Sequence, residues 1–209
     1  MSWAEIPAHL TFSTPGFGGT SQSSGSGVLY KGNTGVPYGS NIITTTAEDA
    51  NMYKYVVRFQ GFFEEPWTVV IWNKYSADGT MNGWYGRACK VLQLGAGEAR
   101  GGWAAAPGLT IPTDSNGSYA STWGEFDFGS SINMGWSGFD VSAIMVQKAG
   151  LEIQSMKICD VLSQICSYIT PKASMVSNAY TEVEADIGGI GGNISPGPVR
   201  LSVTLGYTG

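Results

Sequence analysis

The chain has 209 residues, enough for one domain whose core needs neither a metal nor a disulfide to hold it. Charged residues make up only 13%, against about 25% in an average protein, and Gly, Ser, Thr and Asn take their place, which disfavours long helices. The 11 Lys and Arg against 16 Asp and Glu give a formal charge of −5, and no basic run occurs, so nucleic acid and anionic membranes are poor partners.

Taken in order, residues 1–27 read as an irregular arm ending in a Gly/Ser cluster, and residues 28–209 as a single β-rich domain. Met1-Ser2-Trp3 shows neither the basic start nor the apolar run of a signal peptide. The glycines of residues 27–40 lack the Lys-Ser/Thr of a phosphate loop. Residues 41–45 read as a short strand, 47–51 as a helical turn capped by Thr46, and 53–60 as an alternating strand. Phe62 and Phe63 then lead to the most strongly patterned stretch, residues 65–86, EPWTVVIWNKYSADGTMNGWYG. It reads as one hairpin that turns at Asp78-Gly79 and returns through Trp84 and Tyr85. Both faces of its first strand are apolar, which predicts a central strand forming the floor of a core or cleft.

Residues 88–94 and the segment around Trp103 read as further strands, and residues 107–118 as a polar loop. Residues 121–130 alternate, so that Trp123, Glu125 and Asp127 share one face and Phe126 and Phe128 the other. Residues 139–146 and 151–159 read as two strands of a hairpin, 160–168 and 174–184 as short helices with Met175, Val176, Ala179 and Val183 facing the core, and 199–207 as a closing strand. About nine to twelve strands of this kind make an all-β domain, a β-sandwich or jelly-roll-like fold with two or three short helices.

The residue inventory narrows the chemistry. His9 is the single histidine and no G-x-S-x-G elbow exists, which argues against a hydrolytic triad. One imidazole cannot build a copper or non-haem iron site, and the cysteines lack zinc spacing, so no metal and no cofactor is expected. Cys159 and Cys166 are close enough in sequence to close a short loop, leaving Cys89 as a small buried hydrophobe. Asn116 and Asn193 stand in glycosylation sequons. Glu125 and Asp127, roughly 6–7 Å apart along one strand face, are the carboxyl pair a glycosidase would need, with Trp123 and Trp136 to stack on a sugar. Asp140, Asp160 and Asp186 read as turn or cap residues.

The runs GFGGTSQSSGSGVLYKGNTGVPYGSNII, EPWTVVIWNK, NGWYG, STWGEFDF, GWSGFDVSAI, MKIC and PGPVRLSVTLGY carry a resemblance. In that order they resemble the fungal allergen-four family, secreted proteins first known from an Aspergillus allergen. The resemblance implies a secreted or secretory-pathway β-rich protein in which Cys159 and Cys166 match family positions. It also marks a departure: family members carry cysteines where Ser13 and Ser121 stand here. Similar small proteins of fungal terpenoid and tropolone pathways imply a cofactor-independent pericyclase, including the hetero-Diels–Alder type.

Such a reaction needs an apolar pocket and a few hydrogen-bond donors, which an aromatic-rich, histidine-poor chain can supply. The candidate donors are Asn73, Lys74 and Tyr85, the candidate walls Trp72, Trp84, Trp123 and Trp136, and the partner an apolar small molecule. A carbohydrate- or surface-binding protein without catalysis is the competing class, since aromatic residues in β folds also simply fill cores.

Overall fold

The computed structural model describes residues 2–8, 10–61, 66–95 and 111–209. His9, Phe62, Phe63, Glu65 and the segment around Trp103 lie outside the described residues. The architecture is all-β. Among the described residues the single α-helix is α1 (Ile144–Lys148), accompanied by short 3-10 turns.

Five strands form the main sheet: β1 (Tyr55–Gly61), β6 (Met156–Asp160), β7 (Cys166–Ile169), β8 (Val176–Ser177) and β10 (Val199–Leu205), in the order β1-β10-β6-β7-β8. β1 runs parallel to β10 and the other neighbours are antiparallel. A second sheet holds β4 (Trp123–Asp127), β5 (Ser137–Ser142) and β9 (Gly192–Ile194), in that spatial order. β2 (Trp67–Ile71) and β3 (Lys90–Leu94) form an antiparallel pair of their own.

Alternation explains the packing. Val199, Leu201, Val203 and Leu205 of β10 and Ile158 of β6 are buried, and across from them lie Phe139 and Val141 of β5. These two layers form a sandwich. They approach so closely at β4 that a side-chain carbon on Gly124 would lie 3.0 Å from Ile158 Cδ1. Ser167 of β7 accepts a hydrogen bond from the Val141 amide at 2.9 Å, fixing one layer on the other with a fully buried hydroxyl. Cys159 and Cys166, opposite each other on β6 and β7, are joined by a disulfide.

Several sequence expectations change here. The apolar strand at Trp67–Ile71 is half-buried along its length and belongs to a two-stranded sheet, so it is not central. Its return strand is Lys90–Leu94, and Trp84 and Tyr85 sit in the long connection between the two. Residues 41–45 form no strand. Residues 144–148 are helical rather than extended, and β5 and β6 lie in different sheets rather than in one hairpin. The helix expected over 160–168 is a tight turn followed by β7, with Asp160 accepting from the amides of Leu162 and Ser163. That expected over 174–184 is β8 and a 3-10 turn, and of its proposed core residues only Ala179 is buried. Short apolar runs fit either period, and pairing with β6 decides for strand.

Candidate active site

The long connection between β2 and β3 builds one wall of a cleft. Asp78 organises it by accepting hydrogen bonds from Ser76 Oγ, Thr80 N and Thr80 Oγ1 and by pairing with Arg87 at 2.9 Å. Those hydrogen bonds hold the Asp78 carboxyl well below the usual carboxylate range. The chain then folds back so tightly that a side-chain carbon at Gly83 would lie 1.7 Å from the Asn73 carbonyl oxygen, so glycine alone fits. The Gly83 amide donates to the Lys74 carbonyl at 3.0 Å, and Trp84 next to it lines the cleft.

The cleft has a volume of about 1460 Å³. β1, β2, β4 and the loops at 27–34 and 41–47 enclose it. Trp72, Trp84 and Trp123 line it as one aromatic group: Trp72 meets Trp123 edge-on at 5.2 Å, and Trp84 lies 6.3 Å from Trp123. Buried Tyr119 backs them, 5.1 Å from Trp72, and its carbonyl takes the Trp123 indole N–H at 3.0 Å. The indoles are therefore fixed before any ligand arrives.

Beside Trp123, on the same strand face, is a pair of carboxyl groups. Glu125 of β4 lies directly opposite Asp140 of β5, which puts both side chains on the same side of the sheet, about 5 Å apart at their β carbons. Asp140 Oδ2 is buried without a hydrogen-bond partner among the described residues. Burial first, and the neighbouring Glu125 charge second, push the Asp140 carboxyl up to about 8. Burial also raises Glu125, while the Lys74 ammonium opposes that rise. Glu125 is itself exposed where the cleft opens, so burial weighs less on it than on the half-buried Asp140. Two such acids give up their protons in two steps that belong to the pair, and one proton is held at neutral pH.

The chain matches the Allergen Asp f 4-like domain over residues 40–205. It is 49% identical over 214 residues to Allergen Asp f 4 of Aspergillus fumigatus, covering 98% of this chain and 66% of that protein. The chain belongs to the Allergen Asp f 4-like family. It spans about two thirds of the length of that relative. No solved structure matches it.

In this Allergen Asp f 4-like chain the cleft gathers Trp72, Asn73, Lys74, Trp84, Trp123, Glu125 and Asp127 from the sequence-derived candidates. Tyr85 and Trp136 are exposed and lie outside the lining, the Tyr85 ring meeting that of Trp84 at a tilt, 5.7 Å away. Asn73 is no free donor: its amide and that of Asn41 bond to each other reciprocally at 2.8 and 3.0 Å. Lys74 donates to the Val28 carbonyl. Besides Asp127, two residues along its own strand, Glu125 has Asp140 directly across from it, and Asp140 is a strand residue rather than a turn or cap. The signal for it was the alternation of SGFDVS, which matches that of WGEFD across a Gly/Ser-rich turn. Ser13 and Ser121 both line the cleft. Asn116 is exposed in a turn held by Asp114, and Asn193 is exposed on β9. Cys89 is a half-buried free thiol.

Proposed function

We propose that the cleft binds an apolar small molecule of fungal secondary metabolism and closes a ring in it, as a cofactor-independent pericyclase of the hetero-Diels–Alder type. The observation that carries this reading is the juxtaposition of three fixed indoles with a carboxyl pair that retains a proton. Holding two reacting partners in one geometry can remove roughly 7–11 kcal/mol from a barrier at best. A volume of about 1460 Å³ gives room for both partners at once. In a cycloaddition of this kind two σ bonds form at the expense of two π bonds, and no electron or proton is consumed. The protein's part is to orient the partners and to donate a hydrogen bond to the carbonyl oxygen that gains charge. With Asn73 engaged by Asn41 and Lys74 by Val28, the neutral acid of the Glu125–Asp140 pair is assigned as the donor, and its proton stays on the protein.

The same carboxyl pair beside Trp123 favours a second reading, hydrolysis of a carbohydrate by Glu125 and Asp140. A carbohydrate- or host-surface-binding protein without catalysis is the third. A secretory route goes with any of them: the disulfide suits an oxidising compartment, and the relative is a fungal allergen by name.

The test is a thermal-shift and tryptophan-fluorescence screen with two panels, apolar polyketides and terpenoids against fungal and plant oligosaccharides. A ligand at about 100 times its Kd stabilises by roughly 2.7 kcal/mol, which is readily seen. A metabolite hit whose affinity falls about tenfold or more in the Trp72→Ala, Trp84→Ala double variant supports the proposal. A sugar hit with no metabolite hit sinks it, and product analysis with Glu125→Gln then separates hydrolysis from simple binding.

A further inference from the structure

The tip of the loop at residues 25–30 forms part of the cleft lining and is fastened on three sides. Its base is a bridge between Ser24 and Lys31, whose amides donate to each other's carbonyls at 3.0 and 2.7 Å. Beyond that base, the Lys74 ammonium donates to the Val28 carbonyl, the Tyr75 hydroxyl to the Leu29 carbonyl at 2.6 Å, and the Tyr30 and Ser131 hydroxyls share a bond at 2.7 Å. Gly27, Val28 and Tyr30 line the cleft, while Val28 and Leu29 expose 76% and 58% of their surface, so little apolar packing holds the tip down. The turn itself needs glycine. At Gly25, with φ +76°, a side-chain carbon would lie 2.2 Å from the Leu29 carbonyl oxygen. A segment with a firm base, few buried contacts and polar fastenings opens at low cost.

Lys74 and Glu125 line the same cleft, and the Lys74 charge opposes the rise that burial causes in the Glu125 carboxyl. We propose that Lys74 is a positioning residue, latching the 25–30 tip shut over the cleft and turning to the Glu125 carboxyl when the tip lifts. The ammonium cannot serve both partners fully. A closed tip leaves Glu125 less compensated and keeps the acid pair protonated for donation. An open tip frees the cation to stabilise the carboxylate. Closure and the proton-holding state thus arrive together, as ligand capture requires. The other charged groups at Glu125 are Asp140 from β5 and Asp127 on its own strand, and Lys54, Arg58 and Lys90 line the same cleft. Lys54 lies 5.0 Å over the Tyr55 ring and Arg58 lies 5.6 Å over that of Trp3.

This role rests on the cleft being the ligand site, so the experiment separates the two. On the full chain, hydrogen exchange of the Leu29 and Tyr30 amides, bonded to Ser26 and Gly27, reads the tip. A carboxyl ¹³C titration reads Glu125, and fluorescence of the neutral probe N-phenyl-1-naphthylamine reads the cleft. Lys74→Met is expected to speed exchange at Leu29 and Tyr30 about tenfold while Ser24 and Lys31 keep their rates, and to raise the Glu125 midpoint. Tyr75→Phe is expected to loosen the tip and, by freeing Lys74, to lower that midpoint, and Lys74→Arg to behave as wild type in both. Unchanged exchange in Lys74→Met, or an unchanged Glu125 midpoint, overturns the latch. Failure of the probe to bind wild-type protein counts against the cleft reading, and the exchange and titration results still decide the latch. Lys74 is exposed, so its replacement leaves the fold intact, and Lys74→Gln repeats the test with a polar side chain.

Discussion

The two faces of the β4–β5 ribbon are made from the same ten or so residues and could hardly differ more. On the inner face Phe139 and Val141 are buried against the main sheet, and Gly124 lets β6 come into contact. On the outer face the next residues along the same strands, Trp123, Glu125 and Asp140, look into the cleft. The inner face follows the usual rule that apolar side chains leave water together. The outer face breaks it by keeping two acids side by side in a crowded place, which costs stability. Stability and chemistry are divided between the two sides of one ribbon, and period-two alternation is what divides them.

The sharpest way to break this comparison is to damage the inner layer. Leu201→Ala, at a fully buried site of β10, is expected to lower unfolding free energy by about 3 kcal/mol in urea or guanidinium titrations. A loss below about 1 kcal/mol would show that the sandwich interior is not the stabilising side.

The outer face calls for the opposite result. The folded Asp140 carboxyl titrates near 8, above its ordinary value, so folded protein binds the proton more tightly than unfolded chain. Stability from this group is therefore fully present at pH below about 4 and is lost as pH rises towards 8. Asp140→Asn removes that loss and should leave the protein more stable at pH 8 by on the order of 2 kcal/mol, with a flatter pH profile. Melting temperatures of both proteins across pH 4–8 check it, and a steeper profile in the variant would contradict the burial of this acid.

The smallest effect is expected at Trp136, exposed and outside the cleft. Trp136→Ala should change stability by less than about 0.5 kcal/mol and leave ligand binding unaltered. A drop in affinity as large as that of the Trp72, Trp84 double variant would extend the site beyond the present walls.

Much of this division was legible in the chain. The alternation of STWGEFDF put Glu125 and Trp123 on one face and the phenylalanines on the other, and the structure keeps that split. Trp72, Trp84 and Trp123 were likewise singled out by type and setting. Tyr85 and Trp136 were not separable from them, because an aromatic residue in a turn reads the same whether it points in or out. The cross-strand carboxyl neighbour was hidden for a different reason. Glu125 and Asp127 are near in sequence, whereas Asp140, fifteen positions after Glu125, becomes its neighbour only through a strand register formed across a turn at Ser130–Trp136.

By itself, then, the sequence determined an all-β chain, the periodicity of its main strands, a residue inventory with a single histidine, and its family. Those properties are local or compositional: side-chain branching, alternation and residue counts act within a few positions. Tertiary structure alone decided that Trp67–Ile71 lies at an edge pair, that 166–169 is a strand rather than a helix, and that Asn73 is engaged by Asn41. It also decided that Glu125 meets Asp140 and Lys74 meets Val28. Each of those depends on which distant backbone supplies the partner for a hydrogen bond or a charge, and period and propensity carry no information about that choice.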